Sequence, residues 1–317
     1  MASTTAIKDV AVIGAGGKLG RLITTALLDA GFTVVALARA DSSTPLPEGV
    51  TAVRRVDFAS MEDLVGALRG QDAVVSAIGT MAVAHQRVLV EAAARAQVKR
   101  FVPSEYGLNT RSAGLRDTKL GRMLKPKIDM VDRLIELAEH SAGAFTWTGL
   151  GNNLFFDSSL EAGLLGIDIS AQKATIVDSG DELFSTSNRG LVARAVVAVL
   201  QRPDETANRY LMVQSFVTTQ NELLKVVSEE MQKASDGSGQ KFEVKHITAA
   251  GTEKVADDAL SGGNAFDAFW AYVRQYQFAD GAGRALKREE TANTLLGLGE
   301  EDLRESVRSV LVDMQVV

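Results

Sequence analysis

A glycine-rich turn lies near the start of the chain, directly between a short apolar run and an amphipathic segment. The run Val10–Ile13 leads into the turn Gly14-Ala15-Gly16-Gly17-Lys18-Leu19-Gly20, after which apolar residues recur at helical spacing up to Ala30. A buried strand, a glycine turn and a helix in this order are typical of the first unit of a Rossmann-type fold. Glycines let the backbone approach a diphosphate, and the free N–H groups at the helix start favour its negative charge. The turn therefore predicts a dinucleotide site formed by Gly14, Gly16, Gly17, Lys18, Leu19 and Gly20.

The first 150 residues continue this alternation of apolar runs with helical patterns. Further strands are predicted over Phe32–Ala38, Ala52–Phe58, Asp72–Ile78, Lys99–Pro103 and Ala144–Thr148. Helices are predicted over Lys18–Ala30, Met61–Leu68, Val83–Ala96 and Lys127–His140. Such alternation with short connections predicts an α/β fold of the Rossmann type, with a doubly wound parallel sheet.

The pattern changes after residue 150, where helical and strand-like segments no longer alternate regularly. Helices are predicted over Leu191–Leu200, Gln220–Lys233 and Glu300–Met314, and short strands over Lys173–Val177 and Tyr210–Val213. We therefore predict an NADP(H)-binding Rossmann domain over residues 1–150. Residues 151–317 are predicted to form a smaller, mixed α/β substrate-binding region that is partly interleaved with the first.

The residue that follows the second predicted strand bears on the choice of cofactor. An acidic residue at this place binds the ribose hydroxyls of NAD, whereas arginine suits the extra phosphate of NADP. Position 39, nineteen residues after Gly20, is Arg39, followed two residues later by Asp41. We favour NADP(H), with Arg39 on the phosphate. The alternative is that Asp41 binds the ribose and Arg39 is a solvated charge.

Composition narrows the remaining classes of function. The chain carries 34 basic and 40 acidic side chains, a formal net charge of −6, which argues against sequence-independent nucleic-acid binding. It has no cysteine, which excludes disulfides and thiolate metal sites, and its three histidines are scattered. No metal site is expected. Residues 1 to 8 lack the apolar stretch of a secretory signal, and no segment is long and apolar enough to span a membrane. We expect a soluble cytoplasmic protein.

The segment Lys99-Arg100-Phe101-Val102-Pro103-Ser104-Glu105-Tyr106-Gly107 carries a resemblance to a known family. It resembles the isoflavone reductase-like and NmrA-like proteins, an atypical branch of the short-chain dehydrogenase superfamily. Three further segments agree: Val74–Gly79, the helix position Gln86, and Thr146–Gly149 continuing through Asn153–Asp157, which is similar to the fungal branch in particular. The resemblance covers about the first 160 residues well and the remainder loosely.

This resemblance implies roles for further residues. On the cofactor it would place Ser76, Ala77, Ile78, Gly79, Gln86, Pro103 and Ser104. On a small-molecule substrate it would place Glu105, Tyr106, Asn153, Phe155 and Phe156. Two alternatives stay open: Ser104 and Glu105 could hold a turn, and Phe155 and Phe156 could pack in the core. The aromatic stretch Phe266, Phe269, Trp270 and Tyr272 is expected in the core, with a substrate lid as the alternative.

A lysine is the candidate catalytic residue. None of the four tyrosines has a lysine four positions later, so the Tyr-x-x-x-Lys pair of ordinary short-chain dehydrogenases is absent. The resemblance instead implies one lysine on the helix after the Pro-Ser-Glu segment, and the motif matches Lys127 better than Lys125. Pro126 departs from the family pattern between them and leaves the register open. An amine at a helix start and partly buried has a lowered pKa, which suits proton exchange and contact with the cofactor.

We expect an NADPH-dependent reductase of an aromatic or conjugated small molecule, assisted by Lys127 as general acid or base. Two alternatives remain from the same residues. The NmrA resemblance allows an NADP-sensing regulator without turnover, and the scaffold allows an isomerase or cyclase. Substrate identity and oligomeric state are left open.

Overall fold

The strands and helices alternate along the first half of the chain as the sequence predicts. A computed structural model describes residues 6–234 and 241–316. Within them the strands are β1 (Asp9–Ile13), β2 (Thr33–Arg39), β3 (Ala52–Val56), β4 (Ala73–Ser76), β5 (Arg100–Val102), β6 (Thr146–Gly151), β7 (Leu154–Phe155), β8 (Ile167–Asp168), β9 (Lys173–Val177), β10 (Phe184–Ser187), β11 (Arg209–Met212), β12 (Phe216–Thr218) and β13 (Glu243–Ile247). The helices are α1 (Lys18–Asp29), α2 (Met61–Leu68), α3 (Gln86–Arg95), α4 (Ala113–Arg116), α5 (Lys119–Met123), α6 (Lys125–His140), α7 (Phe156–Glu161), α8 (Arg189–Gln201), α9 (Pro203–Thr206), α10 (Gln220–Ala234), α11 (Ala249–Ser261), α12 (Ala265–Phe278), α13 (Asn293–Leu296) and α14 (Leu303–Asp313). Thr80–His85 and Arg288–Glu290 form 3-10 turns.

The central sheet is parallel and has the strand order β11-β6-β5-β4-β1-β2-β3. The order reverses beside β1, which places the glycine turn at the switch point where ligands bind in open α/β sheets. Helices α1, α8 and α13 cover one face, and α2, α3 and α6 cover the other. This confirms the Rossmann-type doubly wound fold.

Two smaller sheets follow the central one along the chain. Their strand orders are β12-β10-β7 and β13-β9-β8, and each mixes parallel and antiparallel pairs. A separate apolar core joins them to helices α7, α10, α11, α12 and α14. The same core includes Leu120 of α5 and Leu124, which directly precedes α6, so side chains from both halves of the chain meet there.

The strands and helices that the sequence predicts begin and end close to their predicted bounds, with two informative differences. The helix predicted over Val83–Ala96 is divided into the 3-10 turn Thr80–His85 and helix α3, since short 3-10 turns are frequent at helix starts. The strand predicted over Tyr210–Val213 forms as β11, but it pairs with β6 at the edge of the central sheet. No helix in the described part of the chain is long and apolar enough to cross a membrane.

Candidate active site

The glycine turn is held in one shape by contacts within itself. Gly14 has a φ of +80°, which L side chains rarely adopt, and its carbonyl accepts a hydrogen bond of 2.9 Å from the Gly17 N–H. A Cβ atom on Gly16 would lie 2.6 Å from Cγ2 of Thr44. Gly14 is therefore required by its backbone conformation, and Gly16 by its close approach to Thr44. At these two positions the surface of the turn carries no side chain.

Helix α1 begins at Lys18 with its N-terminus open to an anion. No side chain caps it, and its first turn carries no acidic residue. The first N–H groups of a helix have no partner inside the helix, so those of Lys18, Leu19 and Gly20 can bind phosphate. The Lys18 side chain is exposed and lies 3.9 Å from Glu161, whereas Leu19 packs against the core beneath the helix.

This helix start opens into a cavity of about 620 Å³, the glycine cleft. The glycine cleft is lined by Ile13, Gly14, Ala15, Gly16, Gly17, Leu37, Ala38, Arg39, Ser42, Thr44, Leu46, Val53, Arg55, Phe58, Ala77, Ile78, Gly79, Ala82, Gln86 and Leu89. It runs across the carboxyl ends of β1, β2 and β4. A bare glycine surface, an uncapped helix and a cavity along the ends of three strands together fit a dinucleotide.

Two arginines lie at the end of the glycine cleft beside β2. The Arg39 side chain is 75% exposed, and its Nε lies 3.5 Å from an Asp41 carboxylate oxygen, a long contact between solvated groups. Arg55, from β3, donates to the main-chain carbonyls of Arg39, Ala40 and Ser42 at 3.2, 3.2 and 2.8 Å. Arg55 thus holds the loop that carries Arg39, which the sequence analysis missed because the contact joins two strands.

The other end of the glycine cleft is formed by the segment after β4. Ala77, Ile78 and Gly79 line it, as does Gln86. The buried Gln86 accepts a 3.1 Å hydrogen bond from the Ser104 N–H through Oε1, while its Nε2 has no partner among the described residues. An unpartnered buried donor at a cavity wall fits a polar group of a bound ligand.

The other residues predicted for the cofactor near this end lie behind the cleft wall. The Ser104 hydroxyl donates to the Ile78 carbonyl at 2.6 Å and so supports the cleft from behind. Ser76 is fully buried, and its hydroxyl is also unpartnered in the described chain. Pro103 is buried and its carbonyl accepts the Glu105 N–H at 2.8 Å. Ser76, Pro103 and Ser104 are outside the lining of the glycine cleft.

A second cavity of about 290 Å³, the lysine cavity, has a neighbour of the glycine cleft in its wall: Gly79 lines the glycine cleft, and the next residue, Thr80, lines the lysine cavity. The lysine cavity is lined by Thr80, Tyr106, Gly107, Leu108, Thr110, Leu124, Lys127, Asn153, Leu154, Phe155, Ser158, Ser159, Leu164, Phe269, Trp270 and Val273. Its wall is mostly apolar with a few polar groups, which is typical of small-molecule sites.

Lys127 is the cationic residue that lines this cavity. It is the third residue of α6, is only 6% exposed, and its amine donates a 2.6 Å hydrogen bond to the Glu105 main-chain carbonyl. Burial lowers the pKa of Lys127, and the nearby Glu105 carboxylate opposes that shift. Lys125 instead points to solvent and pairs with Asp129 at 2.6 Å. The structure therefore brings Lys127, and not Lys125, to the cavity.

Glu105 is not among the residues that line the lysine cavity, and its carboxylate lies in a small buried network beside it. Its Oε2 accepts hydrogen bonds from the hydroxyls of Thr110, at 2.5 Å, and Tyr210, at 3.0 Å. Burial raises the pKa of Glu105, while Lys127, these two hydroxyls and Arg111 act in the opposite direction. Tyr210 lies on β11, a strand that the sequence places in the second region of the chain. The sequence alone therefore does not predict that Tyr210 contacts Glu105.

Two polar side chains on the cavity wall have buried atoms without partners in the described structure. These are the hydroxyl of Tyr106 and Nδ2 of Asn153, in side chains 6% and 8% exposed. Asn153 has a φ of +55°, a conformation that asparagine tolerates better than most residues. Each group can bond a substrate, which would remove the cost of an unsatisfied buried group.

The two phenylalanines that were predicted to contact a substrate lie in different surroundings. Phe155 lines the lysine cavity, whereas Phe156 is fully buried and stacks edge-to-face on Phe216 with ring centroids 4.9 Å apart. Phe156 matches the core-packing alternative, because consecutive residues at the start of helix α7 point to different sides.

Helix α12 supplies cavity residues that the sequence analysis assigned to the core by default. Phe269, Trp270 and Val273 line the lysine cavity, and the two aromatic rings meet edge-to-face at 5.4 Å. Tyr272 is buried and its hydroxyl donates to Asp257 at 2.5 Å, while Phe266 is 67% exposed. The one-turn spacing of Phe269, Trp270 and Val273 could have indicated a shared face.

Comparison with known proteins gives concordant results. A family model described as NAD(P)H-binding matches residues 14–203. Oxidoreductase aprR of Aspergillus flavus is 33% identical over 308 residues, covering 95% of this chain and 98% of that protein. Isoflavone reductase homolog IRL of Zea mays is 30% identical over 230 residues, covering 68% and 72% of the two chains. The solved binary complex of leucoanthocyanidin reductase and NADPH from Vitis vinifera has the same fold, with a TM-score of 0.74, 19% identity and coverage of 96% and 99%.

Proposed function

The chain belongs to the NAD(P)H-binding oxidoreductases that include the isoflavone reductase homologs, and on that premise we propose that it reduces an aromatic or conjugated small molecule with NADPH. Lys127 is the proposed proton-carrying residue. The observation that carries the proposal is that consecutive residues, Gly79 and Thr80, line the two cavities, with the buried amine of Lys127 on the wall of the second.

The lining of the lysine cavity supports the substrate class. Phe155, Phe269 and Trp270 offer apolar ring surfaces, which favour a flat aromatic partner. Tyr106 and Asn153 offer polar groups that lack partners within the described chain. A ring system carrying one or two oxygen atoms would use both kinds of surface. The relatives named as isoflavone reductase homolog and leucoanthocyanidin reductase are consistent with this choice.

The preference for NADPH over NADH rests on Arg39. Its guanidinium lies at the end of β2, is mostly free in solvent, and has Arg55 holding its loop. A phosphate at this place would gain charge-assisted hydrogen bonds worth about 1.5–3 kcal/mol, or roughly a ten- to hundredfold difference in affinity.

The chemistry divides between the cofactor and the chain. When bound, the nicotinamide supplies a hydride. The ammonium of Lys127 has three protons, one of which is bonded to the Glu105 carbonyl, so the others can serve a substrate oxygen. Its lowered pKa makes this proton easier to give away near neutral pH. The apolar walls exclude water from the same space.

The two cavities also suggest how the chain divides its tasks. All residues lining the glycine cleft precede residue 90, whereas the lysine cavity combines residues 80–127 with residues 153–273. We therefore propose that residues 1–150 hold the cofactor and that residues 151–317 complete the substrate site. A cytoplasmic location stays a prediction.

The test combines binding with turnover on the full chain. NADPH and NADH binding are measured by calorimetry, and a panel of flavonoids, lignans, quinones and conjugated enones is then followed by NADPH absorbance and product analysis. Tight NADPH binding with consumption of NADPH by an aromatic member of the panel is expected. Absence of NADPH binding would overturn the proposal. Binding without any turnover would favour a regulator, and a product formed without net NADPH consumption would favour an isomerase or cyclase.

A further inference from the structure

The amine of Lys127 does not lie alone in its cavity, because it is bound to the residue that carries a buried carboxylate. The Glu105 main-chain carbonyl accepts the amine at 2.6 Å, and the Glu105 side chain is 1% exposed. A carboxylate buried to this degree is costly unless it is paired and hydrogen-bonded. Its two hydroxyl donors, from Thr110 and Tyr210, lower that cost.

Two glycines leave room for the contacts that Glu105 makes with Lys127 and with Tyr210. A Cβ atom on Gly107 would lie 3.3 Å from the Glu105 carbonyl oxygen that accepts the Lys127 amine, and one on Gly149 would lie 2.7 Å from Cδ2 of Tyr210. Tyr210 therefore reaches Glu105 only because β6 has no side chain at position 149. Strands from both halves of the chain are thus shaped around one carboxylate.

We propose that Glu105 is a positioning residue for Lys127: its carbonyl holds the amine in the cavity, and its carboxylate, bound by Thr110 and Tyr210, favours the protonated form of that amine. The inference rests on the proposed function, in which Lys127 delivers the proton. It assigns Glu105 to the amine, in place of the substrate contact that the family resemblance implied.

The charged and titratable groups around Lys127 and Glu105 each favour one protonation state of these two residues. Burial lowers the pKa of Lys127, and the Glu105 carboxylate raises it. Burial raises the pKa of Glu105, whereas Lys127, its two hydroxyl donors and Arg111 favour its ionised form; Arg111 itself pairs with Asp132, which also binds Arg116. Tyr106 and Tyr210 have pKa values raised by burial, so both stay neutral at ordinary pH. Glu105 is thus the anion that acts on Lys127 among these groups.

The decisive experiment reads the titration of Lys127 directly, without turnover. The intact protein is produced with lysine labelled with carbon-13 and nitrogen-15, and the Lys127 signal is assigned by its loss in Lys127→Arg. Replacement of Glu105 by Gln keeps the side-chain shape and removes the charge. We expect the midpoint of Lys127 to fall by about one pH unit or more, since loss of a nearby opposite charge shifts a pKa by roughly one to three units.

Two further variants separate charge from structure. Thr110→Ser keeps the hydroxyl and should leave the midpoint unchanged, whereas Tyr210→Phe removes a donor but not the charge and should move it less than Glu105→Gln. NADPH binding and thermal unfolding show that each variant is folded. A Glu105→Gln protein that is folded but has an unshifted Lys127 midpoint would overturn the inference.

Activity then separates this inference from the proposed function. With an active acceptor from the panel, kcat/KM falls as pH rises through the Lys127 titration, and Glu105→Gln moves that fall to lower pH. If Lys127→Met kept full activity while Glu105→Gln shifted the lysine signal, the proposed function would fail and the link between the two residues would stand. If Lys127→Met lost activity while Glu105→Gln left the lysine signal unshifted, the proposed function would stand and the link would fail.

Discussion

Gly20 lies so close to Gly14 that a Cβ atom added to Gly20 would be 1.9 Å from the Gly14 carbonyl oxygen. That oxygen is the acceptor that closes the turn through the Gly17 N–H. Helix α1 and strand β1 can therefore sit this close only while position 20 has no side chain. The shape of the glycine turn depends on this approach.

Replacement of Gly20 by Ala should disrupt both the fold and cofactor binding. The clash is with backbone, which cannot move without displacing β1 or α1, so we expect a lower melting temperature and at least a tenfold weaker Kd for NADPH. Gly66→Ala in helix α2 is the control, because a Cβ atom there has nothing within 4 Å. Alanine in a helix gains about 1 kcal/mol over glycine, so this control should melt no lower than the parent protein.

Replacement of Arg39 by Ala should weaken NADPH binding by about tenfold or more and leave NADH binding unchanged, because only NADPH has the additional phosphate. Calorimetry with both cofactors measures the difference. Arg69→Ala, at an exposed position that ends helix α2, removes the same charge away from the glycine cleft. An equal loss for NADH and NADPH in Arg39→Ala would contradict a role on the phosphate.

Replacement of Lys127 by Met should lower kcat at least a hundredfold, since proton transfer by a positioned group contributes about that much or more. The same variant should bind NADPH within a fewfold of the parent protein, because the glycine cleft does not include Lys127. Lys125→Met is the matched control, two residues earlier on the same helix and exposed. Steady-state kinetics on the best acceptor compare the two, and equal rates in both variants would rule out the assigned role.

Replacement of Trp270 by Ala should raise KM for an aromatic acceptor about tenfold with the Kd for NADPH unchanged. The reason is the loss of an aromatic surface from the wall of the lysine cavity, where a ring pair contributes about 1 kcal/mol beyond its buried area. Phe266→Ala on the same helix is the control, because Phe266 is mostly exposed and lies outside the cavity lining. Identical KM values for both variants would favour a packing role for Trp270.

Replacement of Glu230 by Gln should destabilise the protein in a pH-dependent way. Glu230 on α10 binds Arg304 and Arg308 of α14, both at 2.5 Å, as well as Lys233, and these cations lower its pKa to about 2. A lowered carboxyl pKa stabilises the fold fully above about pH 4.5, and this contribution is lost as the pH falls toward 2. The melting-temperature deficit of the variant should thus be largest near neutral pH and shrink below pH 4.5. Glu229→Gln, with a more exposed carboxylate that binds Arg304 alone among these cations, should show a smaller deficit.

The sequence was sufficient wherever neighbouring residues determine the structure. The glycine turn, the alternation of strands and helices, and the placement of Lys127 near the start of a helix all depend on short segments. Their signals are periodicity and glycine spacing, which act within one or two turns of chain. For the same reason Lys127 could be preferred to Lys125 but not separated from it: both lie in the first turn, and only the packing of α6 decides which one is buried.

The remaining features depend on contacts between distant segments. Strand β11 was predicted as a strand, but its partner β6 lies far from it in sequence, and strand propensity does not encode a partner. Trp270 and Phe155 reach one cavity from separate segments of the chain, so each looks like an ordinary core residue alone. The contact of Arg55 with the loop that carries Arg39 also cannot be predicted from the sequence, because Arg55 reaches that loop only when β3 pairs with β2.

The pairing of β11 with β6 affects the order in which the protein can fold during its synthesis. Until residues 209–212 have left the ribosome, β6 presents an unpaired edge, and such edges promote aggregation. The same strand delivers the tyrosine hydroxyl that completes the surroundings of Glu105. A fragment that ends at residue 150 would thus have an aggregation-prone sheet edge and would lack the tyrosine hydroxyl beside Glu105. Chaperone binding to nascent chains should decrease once β11 has emerged from the ribosome.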